Sequence, residues 1–76
     1  MTQPDALRWI FEVEKRDIAY IVGVFEGYDD IAIVRTIDAA RGRIELIIAP
    51  DYREDARQVV VALKEEIPLR EVPAQG

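Results

Sequence analysis

The spacing of apolar residues switches along this chain between a strand pattern and a helix pattern, and the order of the switches limits the possible folds most. Residues 7–14 alternate between apolar and mostly charged side chains, as a half-buried strand does. Residues 43–49 alternate in the same way, and residues 31–37 are rich in β-branched side chains, so both segments predict strands. Residues 69–72 predict a short last strand.

Two stretches between these strands have helical spacing instead. The first follows Asp17, a candidate N-cap, and reaches Gly27, a suitable C-terminal stop. The second follows Asp51, which stands three residues before Glu54 in the spacing of a capping box, and it stops at Pro68. The predicted core-facing residues are Ile18, Ile21, Val22, Phe25 and Tyr28 in the first helix and Ala56, Val59, Val60, Leu63 and Ile67 in the second.

The resulting order, β-α-β-β-α-β, predicts a ferredoxin-like α+β sandwich. We expect a four-stranded antiparallel sheet with both helices on one face and with the first and third strands in the centre. Residues 38–42 have the composition of a hairpin loop in which Gly42 takes a positive φ. We expect residues 1–6 to be a flexible lead, residues 7–72 a single domain and residues 73–76 a tail.

The composition favours an association module over a stand-alone enzyme. The chain has no cysteine, histidine, serine or asparagine, so the side chains used in most catalytic constellations are missing. We therefore predict no catalytic residue, no enzyme activity and no cofactor. The 76-residue chain is 50% hydrophobic, and a small domain without disulfides or metal often gains its missing burial by oligomerisation.

Charge and hydropathy predict the location of the protein and disfavour nucleic acid and membranes as partners. A net charge of −5 disfavours nucleic-acid binding, which needs a surplus of basic residues. The longest apolar runs, 18–25 and 59–63, are too short to span a bilayer, and residues 1–10 do not have the pattern of a signal peptide. With no cysteine as well, we expect a soluble cytoplasmic protein that binds neither nucleic acid nor membrane.

The sheet face turned away from the helices is the candidate interaction surface. If Trp9 and Phe11 point to the helices, Arg8 and its alternate neighbours point away. We expect an apolar centre rimmed by charge, which usually marks an interface, and hence a homodimer or larger symmetric oligomer, or contact with another protein. The candidate interface residues are Ile10, Ile33, Ile47, Arg35, Arg43, Glu12 and Glu45.

Two points about this face stay open in the sequence. Residues 31–37 are apolar on both faces, so a slip of one residue would exchange them; Ile31 is placed on the open face with Ile33. The charged residues could also form ordinary cross-strand pairs of small value on a solvated sheet. In the dimer hypothesis, Arg35 or Arg43 of one copy reaches Glu12 or Glu45 of the other.

Two alternative sites follow from charged segments. Lys15 and Arg16 precede the first helix and could hold a carboxylate there, so a sensor of amino acids or other carboxylates is the second hypothesis; a solvated loop is the other interpretation. A hard-metal site is the third hypothesis, although turn chemistry explains most of its residues. The acidic residues concerned are Glu26, Asp29, Asp30 and Asp38.

Two segments also carry a family resemblance. The run EGYDDIAIVRTID at residues 26–38, together with IIAP at residues 47–50, resembles a small uncharacterised bacterial family, domain of unknown function 4911. The resemblance covers most of the chain, from the first strand into the second helix. That family has no established activity, cofactor or catalytic residue, so the resemblance implies no site here.

Overall fold

The structure is a computed structural model that describes residues 6–28 and 31–73. The predicted lead and tail therefore lie outside the described residues, apart from Ala6 and Pro73. The elements are, in chain order, β1 (Leu7–Val13), α1 (Ile18–Glu26), β2 (Ala32–Asp38), β3 (Arg43–Ile48), α2 (Arg53–Glu66) and β4 (Leu69–Val72).

The four strands form one antiparallel sheet in the order β2-β3-β1-β4, with β1 and β3 in the centre. This order confirms the predicted ferredoxin-like α+β fold. β1 and β3 are suited to the centre of the sheet, because strict alternation places a large apolar residue on one face of each strand at every second position. Those faces meet in register, since Trp9 pairs with Leu46 and Phe11 pairs with Ile44.

The core lies between this apolar face of the sheet and the two helices. The guanidinium of Arg57 in α2 stands 5.2 Å from the centre of the Trp9 ring, which adds a cation–π contact between helix and sheet. Ile31, predicted on the open face, instead precedes β2 and packs against the core. The buried hydrophobic residues are Phe11, Val13, Ile21, Phe25, Ile44, Leu46, Ile48, Ala56, Val59, Val60 and Leu63.

The structure settles the register of β2. Ile33 pairs with Ile47, and Arg35 pairs with Glu45, so the strand places these side chains on the face opposite the helices. The register shifts at Ile37, between Thr36 and Asp38. The pairing of an arginine with a glutamate resolves the ambiguity that two apolar faces left in the sequence.

The helix starts differ from the predictions. Each helix is preceded by a 3₁₀ turn, at Lys15–Asp17 and at Pro50–Tyr52. Asp17 does occupy the N-cap position of α1, but its side chain makes no capping hydrogen bond. The predicted capping box at Asp51 is wrong, because Asp51 lies inside the turn and Tyr52 is the residue before the helix.

The helix ends agree better with the sequence. Gly27 is the C-cap of α1, with a negative φ of −72°, and Tyr28 after it is exposed rather than part of the core stripe. Ile67 is extended, as expected for a residue before proline, so Pro68 stops α2 as predicted.

Gly42 fastens the β2–β3 hairpin to the end of β1. Its φ is +68°, as predicted, and a Cβ built on it would lie 1.9 Å from the carbonyl oxygen of Val13. The Val13 N–H donates to the Gly42 carbonyl at 2.7 Å. The close approach of the two backbones therefore requires glycine here, because any side chain would meet the backbone of β1.

Candidate functional site

An apolar band crosses the face of the sheet that the helices do not cover. Ile33 on β2 pairs with Ile47 on β3, and Ile10 on β1 pairs with Val72 on β4. Ile47 lies opposite Arg8 on β1, so Ile10, two residues further on, is its diagonal neighbour. Ile33 is 64% exposed, the highest value among the exposed large hydrophobic residues of the described chain.

Glu45 lies in the middle of this face and is held between two arginines. Its residue is only 8% exposed, although its carboxylate belongs to the open side of the sheet. One carboxylate oxygen is 3.8 Å from Arg8 Nη1, and the other is 3.8 Å from Arg35 Nη1. These separations allow electrostatic attraction without a direct hydrogen bond, so the pairs keep the buried charge compensated.

Glu12 makes a second, tighter network at one end of the face. The Arg43 Nη2 atom donates to Glu12 Oε2 at 2.6 Å, and Arg70 on β4 donates to the other carboxylate oxygen. Both hydrogen bonds favour the ionised carboxylate, so the pKa of Glu12 lies below its ordinary value. The bond from Arg43 has the largest effect on this pKa, and the bond from Arg70 has the next largest. The network joins three strands, since Arg43, Glu12 and Arg70 stand in one row across β3, β1 and β4.

The open face is basic on a chain that is acidic. Its two networks contain four arginines and two glutamates, an excess of two positive charges, whereas the whole chain has a net charge of −5. Such a local reversal of sign concentrates a positive field on one side of the molecule. The face therefore suits contacts that are apolar at the band and tolerant of, or attracted to, positive charge around it.

All seven residues predicted for the interface lie on this one face, but their charges are arranged differently from the hypothesis. The pairs expected between two copies, Arg35 with Glu45 and Arg43 with Glu12, form within a single chain. Arg70 and Val72 were not predicted for this face, because the four residues of β4 are too few for alternation to identify its faces. The pattern in β1, to which β4 is paired, was the available signal.

The alternative sites are less well supported. Lys15 and Arg16 form part of the exposed 3₁₀ turn before α1, and the Arg16 guanidinium already pairs with Glu14, Nε to Oε1, at 3.0 Å. Asp38 has a turn role, since one of its carboxylate oxygens accepts the backbone N–H of Arg41 at 3.2 Å. Asp29 and Asp30, two of the four acidic residues of the metal hypothesis, lie outside the described residues.

Two negative findings apply to residues 6–28 and 31–73. In these residues, no group of three or more histidine, cysteine, aspartate or glutamate side chains is placed to hold a metal ion. Neither helix of this part of the chain has the length and apolar character needed to cross a membrane.

Comparison with known proteins gives a family and no activity. Residues 11–67 match the family model described as Domain of unknown function (DUF4911), which confirms the resemblance carried by residues 26–38 and 47–50. No curated protein and no solved structure matches the chain. The matched region runs from the middle of β1 past the end of α2, so it includes most of the open sheet face.

Proposed function

We propose, from the premise that this chain belongs to the DUF4911 family, that the protein is an association module that forms a symmetric homodimer through its open sheet face. The observation that carries the proposal is the apolar band of Ile10, Ile33, Ile47 and Val72, which no element of the described residues covers. Apolar patches of this kind on small proteins usually mark contact surfaces.

A two-fold axis would bring the band of one copy against the same band of the other. Burial of Ile33 would contribute most to the stability of the dimer, because Ile33 is the most exposed of the three isoleucines in the band. Full burial of an exposed isoleucine contributes about 1.5–3 kcal/mol. Ile10 and Ile47 are already half-buried and would gain less. Because association itself costs free energy that offsets much of this gain, we expect a weak dimer that has to be tested in concentrated protein.

The charged residues would set the salt dependence of the dimer. Each glutamate is already paired within its own chain, so a partner copy adds no opposite charge to the face. Two faces with an excess of arginine would repel each other at low ionic strength. Because salt screens exposed charges, added sodium chloride should strengthen this dimer, whereas an interface held by ion pairs would weaken.

Light scattering with size-exclusion chromatography, at about ten to a hundred micromolar protein, is the direct test. Wild type should be a dimer, and Ile33→Asp should be a folded monomer because the exposed edge position tolerates the charge in the monomer but the contact would bury it. Ile47→Asp should also be monomeric and less stable. Val61→Asp is the matched control, since Val61 is exposed on α2 and away from the sheet. A monomeric wild type at both low and high salt would overturn the proposal.

The excess of arginine supports a second candidate, in which the same face binds an acidic surface of another protein. The two candidates predict opposite effects of one substitution. Arg8→Gln should strengthen a homodimer by reducing repulsion, but it should weaken binding to an acidic probe such as polyglutamate. Neither candidate includes a catalytic step, and we propose that the protein is not an enzyme; turnover lost on replacing a single carboxylate would contradict this.

A further inference from the structure

A groove with a volume of about 640 Å³ runs between the two helices. Each helix contributes one stripe of side chains at the spacing that places residues on a single face. The α2 side consists of Asp55, Gln58, Val59, Ala62, Leu63 and Glu66.

The opposite wall of the groove is formed by α1 and the residues that follow it. A tyrosine stands at each end of this wall, and two glycines stand between them, so few side-chain atoms project into the middle of the groove from this side. The lining residues on this side are Tyr20, Gly23, Val24, Gly27, Tyr28 and Ile31.

The two ends of the groove have the same chemistry. The Tyr20 hydroxyl donates to Glu66, which joins the start of α1 to the end of α2, so the helices run antiparallel. Tyr28 and Asp55 therefore lie towards the opposite end. Eleven residues separate the two carboxylates along α2, which corresponds to about 16 Å of helix rise. The floor between them is apolar, with Val59 and Leu63 buried.

Gly23 is not explained by packing within the chain. A Cβ at this position would meet no atom within 4 Å, so no neighbour in the described structure requires glycine. Glycine in the interior of a helix costs stability relative to alanine. What glycine provides at this place is open space, because it keeps the middle of the groove wall free of side-chain atoms.

We propose that this groove binds a linear aliphatic diamine or polyamine, with one protonated amino group at each end and the methylene chain along the apolar floor. The carboxylates of Asp55 and Glu66 would accept hydrogen bonds from the ammonium groups, and the rings of Tyr20 and Tyr28 offer cation–π contacts. None of the described residues that line the groove is lysine or arginine, so no cation of this wall competes. The net charge of −5 also attracts cations to the protein.

Isothermal titration of the full chain with amines of different length tests the ligand class. We expect 1,8-diaminooctane to bind more tightly than 1,4-diaminobutane, because the shorter diamine cannot reach both carboxylates. We also expect it to bind more tightly than octylamine, which has the apolar chain and only one charge. Equal binding of octylamine and 1,8-diaminooctane would mean that the groove recognises only the apolar chain, which would overturn the proposal. Absence of binding of either amine would overturn it as well.

Variants then locate the site. Glu66→Gln and Asp55→Asn should each weaken binding of 1,8-diaminooctane by about two- to fivefold, as expected for removal of one partly exposed ion pair. Glu65→Gln and Glu54→Gln change the net charge equally on the same helix but lie outside the groove lining, so they should leave the dissociation constant unchanged. If these controls weaken binding as much, the amine is attracted only by net charge.

Gly23 supplies an independent readout. Gly23→Ala should raise the melting temperature, because alanine favours the helix, while a small methyl group leaves most of the groove open. Gly23→Leu should abolish binding of 1,8-diaminooctane by filling the groove while the circular dichroism spectrum stays that of the wild type. A Gly23→Leu variant that folds and binds normally would place the amine elsewhere.

Discussion

The two faces of this sheet are built from the same strands but differ in composition and in burial. On β3, Ile44, Leu46 and Ile48 turn towards the helices and are buried. The residues between them, which include Glu45 and Ile47, turn to the open face. One six-residue strand thus carries two different surfaces, because side chains alternate along a strand.

The residues that make the fold are therefore different from those available for association. The covered face is apolar at every buried position, as a core requires, and removing any of its large side chains would leave a cavity. The open face combines isoleucines with glutamates that are each paired with two arginines, a composition that a solvated face can tolerate and a contact surface can use. Substitutions on neighbouring residues of one strand should therefore have very different consequences.

The largest effect is expected from a pair of adjacent substitutions on β3. Leu46→Ala should lower the free energy of unfolding by about 2–5 kcal/mol, since it creates a cavity beneath the helices. Ile47→Ala, measured in dilute protein where monomers dominate, should cost about 1 kcal/mol or less, in the range of surface substitutions. Urea denaturation monitored by circular dichroism measures both values.

The same pair also sharpens the proposal about the open face. If two copies associate there, the cost of Ile47→Ala should rise with protein concentration, because the native state gains stability from dimerisation. The cost of Leu46→Ala should not change with protein concentration, because this variant keeps the open face of wild type. Equal and concentration-independent costs at both positions would mean that the two faces do not differ as their burial indicates.

Two glycines test the backbone rather than the faces, with an intermediate expected effect. Gly42→Ala should lower the free energy of unfolding by about 1–3 kcal/mol, because it forces a residue with a side chain into positive φ against Val13. Gly23→Ala is its control and should raise stability by up to about 1 kcal/mol, since its Cβ enters open space. Thermal denaturation should show opposite shifts; destabilisation by both would contradict the geometry of Gly23.

The fold was predictable because the decisive signals are periodic. In β1 and β3 the charged residues at alternate positions force one orientation, and they placed Glu12, Arg43 and Glu45 on the open face correctly. Ile31 was assigned to the open face by extending the alternation of Ile33 and Arg35 back to residue 31, but β2 begins at Ala32 and Ile31 packs against the core. Only pairing with β3 brings Arg35 opposite Glu45 and fixes the register.

Local chemistry was less predictable where two signals compete. The spacing of Asp51 and Glu54 fits a capping box, but Pro50 fixes its own φ and the chain enters a 3₁₀ turn, which moves the helix start to Arg53. The groove between the helices was missed for a related reason. A second stripe that begins at Tyr20 was visible in the sequence, but the pattern of one helix does not tell which flank adjoins the other helix.

The smallest expected effect concerns Glu12 on the open face, whose carboxylate is paired with Arg43 and Arg70. Its loss should remove an ion-pair network and leave the apolar core on the other face intact. Because the pKa of Glu12 is lowered in the folded protein, the network stabilises the fold above the unfolded pKa of glutamate, about 4.3, and this contribution disappears as the pH falls through the folded pKa. Glu12→Gln should therefore lower the melting temperature slightly at pH 7 and make no difference in strong acid. Glu71→Gln, on the other face of the neighbouring β4, controls for the loss of a carboxylate from the sheet. A melting-temperature difference between wild type and Glu12→Gln that persists unchanged at low pH would show that the effect comes from packing and not from charge.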